Sequence, residues 1–194
     1  LMVNLHLFAD GRDVETNSSI NDIKVIQSEM PKNVRIATIM GRYYSMDRDK
    51  RWNRTKEAFR AIASGEGKRY GTALESIIDS HSKGLTDEFM EPAIIGDYNG
   101  LTDQKDSLIV TNFRADRVRQ LLYVFTDQKI GNSDEVLEKK FKDILGMIEY
   151  DPDLRNSVKV MFEKFFVKDT LGEWIEKNNL KQFRIAETEK YPHV

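Results

Sequence analysis

Residues 107–125 read SLIVTNFRADRVRQLLYVF, and their order decides the fold class. The apolar, partly β-branched SLIV predicts a strand, and VRQLLYVF spaces its apolar residues as a helix does. Arg114 and Arg117 therefore sit where a strand hands over to the first turn of a helix. That end of a helix carries partial positive charge, which disfavours cations. An anion held by both arginines resolves the conflict. The plainer alternative is a surface salt bridge to Asp116, worth about 0–1 kcal/mol.

The same alternation runs outward in both directions. MVNLHLFA (2–9) reads as a buried strand, and a helix starts near Ser18 or Ser19, with Ile20, Ile23, Ile26 and Met30 on one face and Pro31 as its stop. VRIATIMG is a second strand and RYYSMD a connecting loop. RDKRWNRTKEAFRAIASGEG is a helix that buries Trp52, Phe59 and Ile62 and ends at Gly65. Residues 73–83 form a helix with Leu74, Ile77 and Ile78 inward, and 84–106 are loop-rich around Pro92 and DYNG. Residues 128–143 are charged and helix-like, by default a solvated helix. ILGMIEY is a strand, VKVMFEKFF is ambiguous, KDTLGEWIEKNNL is a helix capped by Asp169 or Thr170, and QFRIAET is a final strand. Strands alternating with helices predict an α/β fold: a mostly parallel central sheet flanked by helices, in a single domain.

Composition narrows the function. With 194 residues, 40% hydrophobic and 32% charged, the chain can bury one sizeable core. Thirty Lys and Arg against 32 Asp and Glu give a net charge of −2, which disfavours nucleic acid as a partner. There is no cysteine, so disulfides and thiolate metal sites are excluded. No apolar run approaches the ~20 residues of a membrane span, and the expected location is cytoplasmic. The chain opens directly on a strand and closes on an extended segment, which suggests a piece of something longer.

Ligands of α/β sheets gather at strand ends beside helix N-termini. Three strand exits here carry arginine: ADGRD with Arg12 and Asp13, GRYYSMDRDKRW with Arg42 and Arg48, and NFRADR with Arg114 and Arg117. Guanidinium groups stay charged and offer a planar fork that matches carboxylate and phosphate oxygens. Asp13, Asp47, Asp49 and Asp116 could neutralise any one of them as a surface pair; three such exits together favour a pocket for a multiply charged small anion. GEGKRYG lacks the spacing of a phosphate-binding loop. His6, His81 and His193 have no metal-ligand spacing, and His6 reads as a core histidine. No marked nucleophile or general base appears, so two readings stand: part of an enzyme, or a stand-alone phosphate- or organic-acid-binding module.

HLFADGRD, GRYYSMDRDKRW, TDEFMEPAII, NFRADRVRQ and RIAETEKYPHV, in this order and spacing, resemble the 2,3-bisphosphoglycerate-independent (cofactor-independent) phosphoglycerate mutases. The resemblance covers nearly the whole chain and is weakest over 128–168. It implies an excised phosphotransferase domain over 1–194, with 184–194 as the return linker to a missing alkaline-phosphatase-like domain. It further implies an isomerase of glycolysis and gluconeogenesis that interconverts 3-phosphoglycerate and 2-phosphoglycerate through a phosphoserine, served by two divalent metals, manganese or magnesium, in the missing domain. Arg12, Asp13, Arg42, Arg48, Arg114 and Arg117 match substrate-binding positions, and Lys190 matches a lysine that reaches the phosphoryl group. The serine nucleophile, the metal ligands and a substrate-binding histidine have no counterpart, so the isolated chain is expected to be inactive. VETNSS stands where many relatives have prolines, which leaves the shape of that loop open.

Overall fold

A computed structural model describes residues 1–126, 140–163 and 165–187. The chain divides into two compact units, Leu1–Phe162 and Glu163–Val194. Every described strand and both core clusters belong to the first.

In that unit β1 (Val3–Ala9) runs parallel to β2 (Val34–Gly41). β3 (Lys68–Tyr70) pairs in parallel with β4 (Ala93–Ile95), and β4 joins β2 antiparallel, giving the order β1-β2-β4-β3. A second sheet of three parallel strands orders β5 (Ser107–Val110), β6 (Asp143–Gly146) and β7 (Lys159–Val160). The mostly parallel α/β class is thus the one observed, with β2–β4 the exception.

Six α-helices are described: α1 (Ser19–Glu29), α2 (Arg42–Ser45), α3 (Trp52–Phe59), α4 (Ala73–Ser82), α5 (Ala115–Phe125) and α6 (Leu171–Lys177). α3 continues through a wider turn over Arg60–Ser64 and stops at Gly65, whose φ of 66° closes the helix as the sequence predicts.

β2 is buried on both faces, which explains its unbroken apolar run. One face carries Ile36 and Ile39 into a cluster with Ile23 of α1 and Ala73 and Ile77 of α4. The other carries Ala37 and Met40 into a cluster with Phe59, Val118, Leu122 and Phe125, from α3 and α5. Strict alternation would not allow this spacing. Leu5 pairs with Ile36 but His6 pairs with Thr38, so Ala37 is an extra residue, a bulge that shifts the pattern by one.

Several expectations are corrected. RYYSMD is not all loop, because Arg42–Ser45 form a helical turn directly off β2. The helix after it begins at Trp52 rather than Arg48. Ile78 is 53% exposed: α4 buries Ala73, Ser76, Ile77 and Ser80, a stripe that Ile78 lies beside. Residues 182–187 form no strand, so the final strand expected there is not observed among the described residues. The helix expected over 128–143 lies outside the described residues as far as 139, and Asp143 already belongs to β6.

Candidate functional site

The loop leaving β1 is shaped by its own sequence. Asp10 Oδ1 accepts the backbone N–H groups of Arg12 (3.1 Å) and Asp13 (3.0 Å), and Gly11 between them has φ 62°. This Asx turn, with glycine in the left-handed region, bends the chain back at the strand end. Gly11 and Gly41 also lie against the 87–88 backbone: a Cβ on Gly41 would stand 2.1 Å from the Glu88 carbonyl oxygen. The DGRD and GRYY loops thereby share one support, the TDEF turn.

Arg42 leaves β2 into α2 with only 3% of its side chain exposed. Its Nη1 donates to Asp10 Oδ1 (2.7 Å) and Asp13 Oδ2 (2.8 Å). Burial acts to lower its pKa, but these two carboxylates outweigh burial and hold it above the ordinary arginine value. The hydrogen bond from Arg42 in turn keeps the Asp13 carboxyl below the usual range, and Arg114, 3.3 Å from Asp13 Oδ2, adds to this.

Arg114 is the N-cap of α5 and makes no side-chain cap. Its Nε lies 3.5 Å from Asp116 Oδ1, while Asp116 Oδ2 accepts Arg48 Nη1 at 2.7 Å. Burial raises the Asp116 pKa, and the surrounding Arg48, Arg114 and Arg117 bring it below the ordinary value. Arg117 donates to the Met46 carbonyl (3.2 Å). Its pKa is lowered by burial first, then by Arg48, Arg42 and Arg114, against the opposing pull of Asp116. Upstream, Tyr150 donates to the Asn112 carbonyl and accepts Met147 N–H at 3.1 Å, which fixes the exit of β5.

The structure therefore brings Asp13, Arg42, Arg48, Arg114 and Arg117 into one network from three separate strand exits. Arg12, on the same loop as Asp13, points elsewhere: it is 55% exposed and meets Glu88 at 3.5 Å. Lys190 lies outside the described residues. Two nitrogens in the network, Arg42 Nη2 and Arg117 Nε, are buried without a hydrogen-bond partner. Guanidinium N–H groups removed from water and left unpaired are costly.

Sequence reasoning missed Asp10 and Gln120. Asp10 is legible in hindsight as the first residue of D-G-R-D, an Asx-turn pattern. Gln120 shows no local sign. Asp47 pairs with arginine, its Oδ1 lying 3.7 Å from both Arg51 and Arg54, and its Oδ2 also accepts the backbone of Asp49 and Arg51 and the Gln120 amide. Among the described residues no group of three or more His, Cys, Asp or Glu could hold a metal ion. Nor is any described helix long and apolar enough to cross a membrane.

Comparison with known proteins gives the family of the chain. The family model described as BPG-independent PGAM N-terminus matches residues 1–152. The chain is 43% identical over 196 residues to the 2,3-bisphosphoglycerate-independent phosphoglycerate mutase of Ehrlichia ruminantium (strain Gardel), covering 100% of this chain and 38% of that protein. It is 42% identical over 190 residues to the enzyme of the same name from Rhodopseudomonas palustris, covering 98% and 38%. A crystal structure of Leishmania mexicana phosphoglycerate mutase at low cobalt concentration superposes with a TM-score of 0.77 at 26% identity, over 100% of this chain and 38% of that one. The chain thus spans well under half the length of the relatives it matches. It belongs to the 2,3-bisphosphoglycerate-independent phosphoglycerate mutase family, in the part that the family's N-terminal model describes.

Proposed function

We propose that this chain is the substrate-holding part of a cytoplasmic isomerase that interconverts 3-phosphoglycerate and 2-phosphoglycerate through a phosphoserine carried elsewhere in a longer protein. The observation that carries the reading is the pair of buried, unpartnered nitrogens, Arg42 Nη2 and Arg117 Nε, inside a cluster where guanidiniums press on one another. A phosphoglycerate brings about three negative charges near neutral pH, which relieves that repulsion and occupies those donors.

On this reading Arg42, Arg48, Arg114 and Arg117 hold the carboxylate and phosphate oxygens, and they stabilise charge as the phosphoryl group moves. Asp13, held ionised by Arg42, accepts a glycerate hydroxyl, so the acid can turn without leaving. Arg12 is paired loosely to Glu88 and can exchange that carboxylate for a substrate oxygen at small cost. Lys190 is assigned to the phosphoryl end on family likeness alone. The manganese or magnesium ions implied by the family would activate the serine. Family likeness assigns metal binding to the remainder of the longer protein.

Calorimetric titration of 3-phosphoglycerate, onto this chain and onto the full-length protein that carries it, tests the assignment. Arg117→Ala is expected to weaken binding at least about tenfold, roughly the value of one buried charge-assisted hydrogen bond. Affinity unchanged by Arg117→Ala and by Arg42→Ala would overturn the clamp. If the full-length protein binds the ligand without converting it, the non-catalytic module is the better reading. The pure chain supplied with manganese should show no conversion, and any turnover by it would place the nucleophile here.

A further inference from the structure

We propose that Gln120 is a positioning residue: it locks the 46–50 loop onto α5 and so sets Arg48 in register with Arg114 and Arg117. The role for catalysis rests on reading that cluster as a phosphoglycerate clamp.

One face of α5 grips the loop in three places. Asp116 takes Arg48, Arg117 donates to the Met46 carbonyl, and Gln120, one turn further on, holds the far end. Gln120 is 5% exposed, and both ends of its amide are engaged. Oε1 accepts Lys50 N–H at 2.7 Å; Nε2 donates to Asp47 Oδ2 at 2.8 Å and to Thr55 Oγ1 at 3.3 Å. Asp47 passes the restraint on, because the same oxygen accepts the N–H groups of Asp49 (3.2 Å) and Arg51 (2.9 Å).

Lys50 is the residue that needs the restraint. Its φ is 60°, a left-handed conformation that costs a non-glycine residue about 1 kcal/mol. The bond from its N–H to Gln120 offsets that cost and closes the loop. Gln120 is buried and both N–H donors of its amide are used, so it acts through Arg48 rather than on substrate. A glutamine meets both demands, an acceptor for Lys50 and a donor for Asp47. Leucine meets neither, and glutamate would set a carboxylate against Asp47.

The test is steady-state kinetics of the full-length protein with 3-phosphoglycerate, together with hydrogen exchange of residues 46–51 in this chain. Gln120→Leu should raise KM about tenfold at every pH with kcat changed less than about threefold, the signature of lost uniform binding. It should also speed exchange at 46–51 more than in either core cluster. Gln120→Glu separates positioning from bulk stability. The groups around the introduced carboxyl are Asp47, Thr55, Arg51 and Arg54 (each arginine 3.7 Å from the other Asp47 oxygen), with Asp116 and Arg117 one turn back. A carboxyl introduced beside Asp47 is tolerated best in its protonated form, because an ionised one repels the neighbouring carboxylate. KM relative to wild type should therefore rise with pH toward that of the leucine variant.

A folded Gln120→Leu protein with wild-type KM, or with unaltered protection at 46–51, would overturn the proposal. Should the leucine variant not fold, the pH dependence of Gln120→Glu decides, and a flat ratio counts against it. If the wild-type protein does not use phosphoglycerate, the clamp reading falls, and exchange at 46–51 alone decides whether the latch stands.

Discussion

Arg42 organises the cluster because it is the most buried of its arginines and its Nη1 alone meets two carboxylates at 2.7 and 2.8 Å. The motif arginines were legible in the sequence because each follows a strand, where α/β folds collect ligands. What the sequence could not supply was which of them meet. Arg12 and Asp13 are neighbours, yet one faces Glu88 and the other faces Arg42 and Arg114. His6 is the core histidine that its strand implies: Nδ1 meets Thr38 Oγ1 at 2.9 Å, and its ring stands edge-on to Tyr98. Burial lowers its pKa to about 4. Unfolding releases it to an ordinary value near 6.5, so between these limits the unfolded state binds more protons and acid favours unfolding. The contribution is complete above about pH 6.5 and fades as pH falls toward 4. Urea midpoints at pH 7.5 and 5 should differ more for wild type than for His6→Gln; equal differences would refute the burial argument.

Elements announced by periodicity over seven or more residues were readable: β1, β2, α1, α4 and α5 stand close to where their apolar patterns put them. Among those of two to four residues, β5 and β6 were readable from apolar runs, whereas β3, β4, β7 and α2 were not, because a segment so short carries no period of its own. Capping divides the same way. α6 is capped locally by Thr170 and Glu173, a pattern visible in the sequence. α1 is not: Ser18 makes no side-chain cap, and the carboxylate at that helix start comes from Asp87, 68 residues on from Ser19. Asp87 is wholly buried and accepts Ser19 N–H (2.9 Å), Ser19 Oγ (2.5 Å) and His81 Nε2 (2.8 Å). Asp87→Asn replaces an acceptor with a donor facing donors, and should cost about 2–3 kcal/mol. Chemical denaturation reads this directly, and a loss under about 0.5 kcal/mol would mean the cap is not holding α1.

At the scale of the molecule, the two units differ in how they use apolar residues. Both core clusters are drawn from Ala9 to Val158, within the first unit. The second unit buries none of its α6 residues, and Leu171, Trp174, Leu180, Phe183 and Ile185 are each more than half exposed. A helix with a good capping box but no buried face has local order without a core of its own, and helices this short need tertiary packing for stability. The second unit starts at Glu163, some way before the expected return linker at 184, and the matched relatives are more than twice as long as this chain. The expected consequence is that stability resides in the first unit. Ending the chain at Phe162 should leave its thermal midpoint within about 2 °C, less than a 1 kcal/mol change would shift it. The same truncation should reduce self-association and binding of an apolar dye, because it removes exposed apolar surface. In the Trp52→Phe variant, Trp174 should emit as a solvated indole and be quenched freely by acrylamide. A fall of ten degrees on truncation, or a shielded Trp174, would show that the second unit contributes to a core within this chain.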